Sequence, residues 1–327
     1  MHSLNSLKSN VFNVNDQTFD YQALELFHYQ FKNNKIYRDY VQYLGINPNK
    51  ITSISQIPFL PIQFFKRHKI TSGFFSPTHI FESSGTAGER SKHYIEDLTF
   101  YEKVSSQIFR SFFGELQEAV IIGLLPSYLE RGNSSLVFMV NHFIEESKNI
   151  YSGFYLNNYN DLIETLDNLT NCDNPIFLFG VTFALLEFSK IFHQEIKNLK
   201  IIETGGMKGK GRELIREELH EKLSKSFKSH QIFSEYGMTE LLSQAYLLKD
   251  GFFHTPPWMR VLIREIHDPF QYTENGQTGI INIIDLANVH SCAFIETEDL
   301  GMLHEDSFKV IGRLDNSDLR GCNLLVS

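Results

Sequence analysis

Between residues 119 and 234 the chain holds four short apolar runs, each closed by proline, by glycine or by a tight polar turn. Residues 119–125 end at Pro126, residues 175–180 end on Gly180, residues 200–204 run into Gly205-Gly206, and residues 231–234 run into Glu235-Tyr236-Gly237. Runs this short and this apolar suit strands buried on both faces. Helical spacing fills the gaps: a stretch from Phe183 to about residue 199, and a charged one from about Arg212 to Ser226. Buried strands alternating with helices predict an α/β fold built on parallel sheet. In such sheets ligands gather beyond the carboxyl ends of the strands. Gly205-Gly206 and Glu235-Tyr236-Gly237 fall at two of those ends.

The flanks have other textures. The first eighty residues read as helical, with Leu24, Phe27 and Phe31, then Tyr37, Tyr40, Val41 and Leu44, near helical spacing, until Pro58 and Pro61 interrupt. From about residue 250 the reading is β: a strand over 258–266, a turn over 274–279 and a return strand over 280–285. We therefore expect one domain, subdivided into a helical N-terminal segment (1–80), an α/β body (81–250) and a smaller β-rich subdomain with a C-terminal tail (251–327). The 42% of hydrophobic residues, 29 phenylalanines among them, are enough for thick apolar layers. Phe112, Phe113, Phe138, Phe143, Phe177 and Phe179 are candidate walls of an apolar channel, although most of them read as core. No apolar run approaches the roughly 20 residues of a membrane helix, and the N-terminus lacks an apolar signal core, so the expectation is a cytoplasmic protein with no integral membrane segment. Cys172, Cys292 and Cys322 show no paired spacing, which disfavours a disulfide framework or a zinc site. A net charge of −9 without a basic stripe argues against nucleic acid as a partner.

Four segments carry chemistry. The first, residues 83–92, sets Ser83, Ser84, Gly85, Thr86 and Gly88 before Arg90 and Lys92. Small residues admit close backbone N–H groups, hydroxyls donate, and the cations offset negative charge, so the segment can wrap phosphates or be an ordinary surface loop. It is not a G-x-x-x-x-G-K-[ST] loop. The second, residues 203–212, offers Gly205 and Gly206 for close approach and Lys208 and Lys210 for phosphate, or simply connects a strand to a helix. The third is Ser234-Glu235-Tyr236-Gly237-Met238-Thr239-Glu240. Tyr236 suits base stacking, Thr239 phosphate and Glu240 Mg²⁺, a hard cation that takes carboxylate oxygen. In isolation the same residues read as a helix start capped by Thr239. The fourth pairs Glu298-Asp299-Leu300-Gly301 with Gly312-Arg313-Leu314-Asp315, an acid and a base suited to ribose, or two turns.

In this order the segments resemble the adenylate-forming superfamily of acyl-CoA synthetases, luciferases and nonribosomal adenylation domains. Residues 83–88 with Lys92 look like its S-[ST]-G-T-[TS]-G-x-P-K loop, residues 236–240 match Y-G-x-T-E, residues 297–301 look like T-G-D-L-G, and residues 312–315 like G-R-x-D. The likeness runs from about residue 55 to the C-terminus. It implies ATP and Mg²⁺ as cofactors, with Ser83, Ser84, Gly85, Thr86 and Gly88 on the phosphates and Thr239 on the α-phosphate. It further puts Glu240 on the metal, Gly205, Gly206, Tyr236 and Gly237 around adenine, and Asp299 and Arg313 on ribose. Two departures stand out. Glu298 replaces a glycine and Glu89 stands near the usual proline. The chain also ends at Ser327, without the superfamily's further C-terminal domain and its lysine, leaving Lys92, Lys208, Lys210 or Arg90 to supply positive charge.

Three further stretches narrow the resemblance to acyl-protein synthetases of the LuxE type: residues 126–136, Thr204-Gly205-Gly206-Met207-Lys208-Gly209-Lys210, and Arg320-Gly321-Cys322-Asn323-Leu324-Leu325. That resemblance implies activation of a carboxylic acid, a fatty acid, as acyl-adenylate, then acyl transfer to the thiol of Cys322, with an acyl reductase or acyltransferase protein as partner. The alternatives are a ligase serving coenzyme A or a carrier protein, a nucleotide-independent acyltransferase, and a non-catalytic subunit of a reductase complex.

Overall fold

The computed structural model describes residues 4–84, 90–126, 132–156, 158–205 and 214–314. The N-terminal stretch is helical because its caps and apolar stripe agree. Helix α1 (Leu4–Asn10) precedes α2 (Asp16–Asn33), which Asn15 opens with a capping box: its side chain accepts from the Gln17 and Thr18 N–H groups while the Thr18 hydroxyl oxygen accepts from the Asn15 N–H. Asn34 closes α2 and caps α3 (Lys35–Tyr43). The inner stripe of α2 buries Phe19, Ala23, Leu26 and Phe27. Short strand β1 (Leu60–Pro61) and helix α4 (Phe64–Arg67) follow.

Contacts divide the chain into two compact units, Phe75–Pro256 and a second made of the described residues up to Phe74 with those from Pro257 onward. In the first unit an antiparallel hairpin, β2 (His79–Glu82) and β3 (Lys92–Ile95), leads into α5 (Leu98–Phe113). Then come β4 (Val120–Leu124), α6 (Ser135–Ser147), β5 (Gly153–Tyr155), α7 (Tyr159–Asn168), β6 (Ile176–Val181) and α8 (Thr182–Phe188). The unit closes with β7 (Leu199–Thr204), α9 (Arg216–Phe227), β8 (Ile232–Tyr236), β9 (Ala245–Leu247) and β10 (Phe253–His254). Strands β5-β4-β6-β7-β8 lie side by side and parallel, as the four apolar runs predict; β9 and β10 extend the edge antiparallel. Every residue of β4, β6 and β8 is buried, which is why those runs do not alternate. Phe109 of α5 packs against Phe143 and Phe177 with ring centroids 5.1 and 4.9 Å apart, so Phe143, Phe177 and Phe179 are core.

One helix is shorter than its spacing predicts. The stretch read as helix to about residue 199 stops at Phe188, where the Ser189 hydroxyl turns back to donate to the Leu186 carbonyl at 2.8 Å. Phe188 and Phe192 still stack 5.2 Å apart, both buried. That contact preserves an i, i+4 apolar pattern in backbone that is no longer helical.

The second unit is completed by a meander of β11 (Met259–Arg264), β12 (Gly279–Asp285), β13 (Phe294–His304) and β14 (Ser307–Arg313), antiparallel in sequence order, with β1 alongside β13 in parallel. Phe27, Tyr37 and Phe59 surround the Phe294 ring, so the helical segment and the meander share one core. Among the described residues no helix is long and apolar enough to cross a membrane.

Candidate active site

The β2–β3 hairpin presents the first segment. Alternation sorts its side chains: Glu82 and Lys92 are cross-strand partners, as are Phe81 and His93, and the second pair is buried. The Glu82 carboxylate stands 3.4 Å from Arg90 Nη1 and 3.8 Å from Lys92 Nζ. Such exposed pairs contribute at most about 1 kcal/mol, so either cation can turn to an anionic ligand at little cost. At the neck the Ser83 N–H donates to the Ser91 carbonyl and the Ser91 N–H donates to the Ser83 hydroxyl oxygen, both at 3.0 Å. Ser83 therefore helps close the loop whose tip Ser84 begins. Gly85, Thr86 and Gly88 lie outside the described residues, as do Gly206, Lys208, Lys210 and Cys322.

The carboxyl end of β7 carries a polar cluster that sequence patterning does not reveal. Glu203, on β7, is 2% exposed. Its Oε1 accepts from Arg216 Nη1 at 2.9 Å and from the Ser234 hydroxyl at 2.6 Å, and its Oε2 from the Thr182 hydroxyl at 3.1 Å. Ser234 in turn accepts from His220 Nε2 at 2.8 Å. Burial, and then the charge of Arg216, push the His220 pKa down to about 4. Gly205 leaves the strand with φ +70°, a left-handed conformation that favours glycine.

One strand over, Glu235 is also buried, and among the described residues its one hydroxyl donor is Thr204, at 2.5 Å. Burial raises its carboxyl pKa, the Thr204 bond lowers it and the charge of Glu203 raises it, leaving it at about 7. Burial first, and then Glu235, raise the phenols of Tyr101 and Tyr246, which lie near it. A Cβ at Gly237 would stand 2.2 Å from Glu235 Oε1, so a larger residue here must displace this carboxyl.

Residues 237–240 form a turn and not a helix start. The Leu241 N–H donates to the Met238 carbonyl at 3.1 Å and Thr239 caps nothing, which corrects the isolated reading of this segment. Tyr236 packs its ring 5.7 Å from Phe253 and is 9% exposed, Thr239 is half-buried, and Glu240 is buried. His93 reaches this turn: its Nδ1 lies 2.8 Å from the Thr239 carbonyl oxygen. Its one sequence signal is alternation, since an outward Lys92 puts the next residue inward.

In the other unit, Asp299 and Arg313 are register partners across β13 and β14. The Arg313 guanidinium pairs with Glu298 at 3.0 Å, and Gln63 Nε2 donates to the same carboxylate at 2.6 Å. Burial alone would raise the Glu298 pKa; the Gln63 bond and the charges of Arg313 and Lys66 outweigh it and hold it low. The residue that departs from the superfamily pattern is thus an anchor for Arg313.

Among the described residues no cluster of three or more His, Cys, Asp or Glu could hold a metal by itself. A cleft of about 910 Å³ opens beside Pro126, Phe183, Leu186 and Leu214. Its rim lysines Lys190 and Lys222 pair with Glu187 and Glu218 on the same stretches of chain.

Known proteins place this architecture. A long-chain-fatty-acid–luciferin-component ligase of Vibrio harveyi is 24% identical over 328 residues, covering 92% of this chain and 85% of the relative. The enzyme of that name from Aliivibrio fischeri is 26% identical with the same coverage. Among solved structures, 2-hydroxyisobutyryl-CoA ligase superimposes with a TM-score of 0.66 at 11% identity, over 97% of this chain and 80% of that one. ATP-bound MatB from Rhodopseudomonas palustris gives 0.55 at 16% identity, over 72% of this chain and 47% of MatB, about half its length. These likenesses show the fold of the adenylate-forming enzymes, mixed α/β around a mostly parallel sheet with a β-rich C-terminal region. The family model described as acyl-protein synthetase, LuxE, matches residues 131–327. The chain belongs to the LuxE family of acyl-protein synthetases.

Proposed function

We propose that the protein activates a long-chain fatty acid with ATP as an acyl-adenylate and passes the acyl group to the thiol of Cys322. The observation that carries this reading is a convergence: in a chain of this family, the loop-bearing hairpin and the Tyr236–Glu240 turn are tied together at 2.8 Å by His93 and Thr239. The turn follows the carboxyl end of β8, where ligands of parallel sheets gather. The fatty acid is the substrate class named for the Vibrio and Aliivibrio relatives.

In the adenylation step a carboxylate oxygen of the acid bonds to the α-phosphorus of ATP, the bond to the bridging oxygen breaks, and pyrophosphate leaves. Negative charge grows on the α-phosphoryl oxygens. Thr239, Lys92 and Arg90, with backbone N–H groups of the loop begun by Ser83 and Ser84, are assigned to offset it. Gly205, Tyr236 and Gly237 would frame the base, and Asp299 and Arg313 the ribose. Glu240 suits Mg²⁺, which takes one or two carboxylates and completes its shell with substrate phosphates; bound there, the ion would withdraw charge from those oxygens. In the second step the Cys322 thiolate attacks the acyl carbonyl and AMP leaves, forming a thioester. The apolar wall of Phe183 and Leu186 is the proposed seat of the acyl chain. A cytoplasmic setting, which keeps thiols reduced, suits this chemistry, and an acyl reductase or acyltransferase protein is the proposed recipient.

The test is acid-dependent exchange of labelled pyrophosphate into ATP with acids of graded length, read beside intact mass. Exchange that peaks with long-chain acids, and a mass gain of one acyl group lost in Cys322→Ser while exchange persists, are expected. No acid-dependent exchange overturns the adenylation step; acylation that survives Cys322→Ser overturns the carrier role.

A further inference from the structure

We propose that His93 is a positioning residue for adenylyl transfer, the lock that holds the Thr239–Glu240 turn to the strand bearing Lys92. The proposal rests on the adenylation reading above. His93 sits on β3 directly after Lys92, is 1% exposed, and bonds through Nδ1 to the Thr239 carbonyl across 146 residues of sequence. A carbonyl oxygen only accepts, so Nδ1 carries the proton and the ring's tautomer is fixed at that atom. Alternation then gives one strand two tasks. Its outward side chain, Lys92, is half exposed beside Glu82, and its inward side chain, His93, grips the turn that carries the phosphate and metal candidates. The turn is irregular backbone without a helix to stiffen it. Its distance from the Lys92 strand is set where His93 meets Thr239, so a shift in that bond moves Thr239 and Glu240 together against the cation.

The chemistry separates positioning from acid–base action. The attacking acid is already a carboxylate and pyrophosphate departs as an anion, so forming one P–O bond and breaking another requires no proton from His93. An asparagine at this position keeps an N–H donor near the place of Nδ1 and cannot titrate. A leucine fills the space without a donor, and a glutamine carries its amide further out.

The experiment is acid-dependent pyrophosphate exchange by the full chain, with kcat and KM for ATP and for the acid, in wild type, His93→Leu, His93→Gln and His93→Asn. Misplacement of a reacting group by about 1 Å costs on the order of 100-fold. We expect His93→Leu and His93→Gln to lose kcat on about that scale with KM for the acid unchanged, and His93→Asn to recover most of it with the wild-type pH profile. Should His93→Leu fail to fold, His93→Gln and His93→Asn still decide the matter. Wild-type kcat in both His93→Leu and His93→Gln overturns the lock while leaving the adenylation reading intact. An inactive His93→Asn that keeps the wild-type thermal midpoint overturns positioning in favour of proton transfer. Absence of exchange in the wild type overturns the adenylation reading, and the lock with it.

Discussion

The carboxyl ends of β7 and β8 lie side by side in one sheet, each carries a buried glutamate, and the two behave differently. Glu203 accepts from a guanidinium and two hydroxyls. Glu235 accepts from one hydroxyl, faces the charge of Glu203, and holds its proton to about pH 7. Burial is common to both, and what differs is the set of donors. They are allotted by strand order: α9 delivers Arg216 to Glu203, and among the described residues no cation pairs with Glu235. The contrast sets a carboxyl group held by three donors beside one that is neutral in mild acid, at adjacent strand ends.

The strongest way to break the contrast is to strip Glu203 of its cation. Arg216→Met leaves a buried charge without its partner and should cost about 3 kcal/mol in urea unfolding, mostly restored in the Arg216→Met, Glu203→Gln double variant. A double variant as unstable as the single one would show that Arg216 acts by packing on Phe253, 4.8 Å from its guanidinium, rather than by charge.

Next is Glu235 itself. Unfolded, this carboxyl loses its proton near its ordinary value of 4.5; folded, it keeps it to about 7. Between those values the folded state binds the extra proton, so its contribution to stability is present in acid and is lost as pH rises through 7. Glu235→Gln should remove that loss, making the variant more stable than wild type by about 3 kcal/mol at pH 8 and by little at pH 4.5. Parallel stability curves for the two proteins across this range would refute the assignment.

The smallest effect concerns the close approach. Gly237→Ala places a methyl group against Glu235 Oε1 and should cost about 1 kcal/mol. The same substitution in a Glu235→Ala background should cost measurably less, because the side chain that collides is gone. Equal costs in both backgrounds would place the crowding elsewhere.

Much of the architecture was legible because it is local. Four apolar runs became β4, β6, β7 and β8, and the turn of residues 274–279 joined the two strands expected around it. Local patterning failed where a contact outlived its element: Phe192 kept helical spacing to Phe188 in backbone that had left the helix. The candidate site was legible as types and places. Glycines, hydroxyls and Glu240 mark the ends of β7 and β8 in the sequence itself. The polar cluster around Glu203 was not legible, because its members Thr182, Glu203, Arg216, His220 and Ser234 come from four elements and each alone has a surface or capping explanation. The gain in the other unit was a reason for Glu298, which looked only like a departure from pattern until Arg313 and Gln63 were found on it.

By itself, then, the sequence determined what depends on neighbours along the chain: the period of burial, the element each segment forms, and the small residues where backbone must turn or approach closely. The tertiary structure alone decided that the buried Glu235 carboxyl keeps its proton and which strand bonds to the Thr239–Glu240 turn. Both depend on desolvation and on donors brought from far along the chain, and a pairing such as His93 with Thr239 leaves no trace in local periodicity.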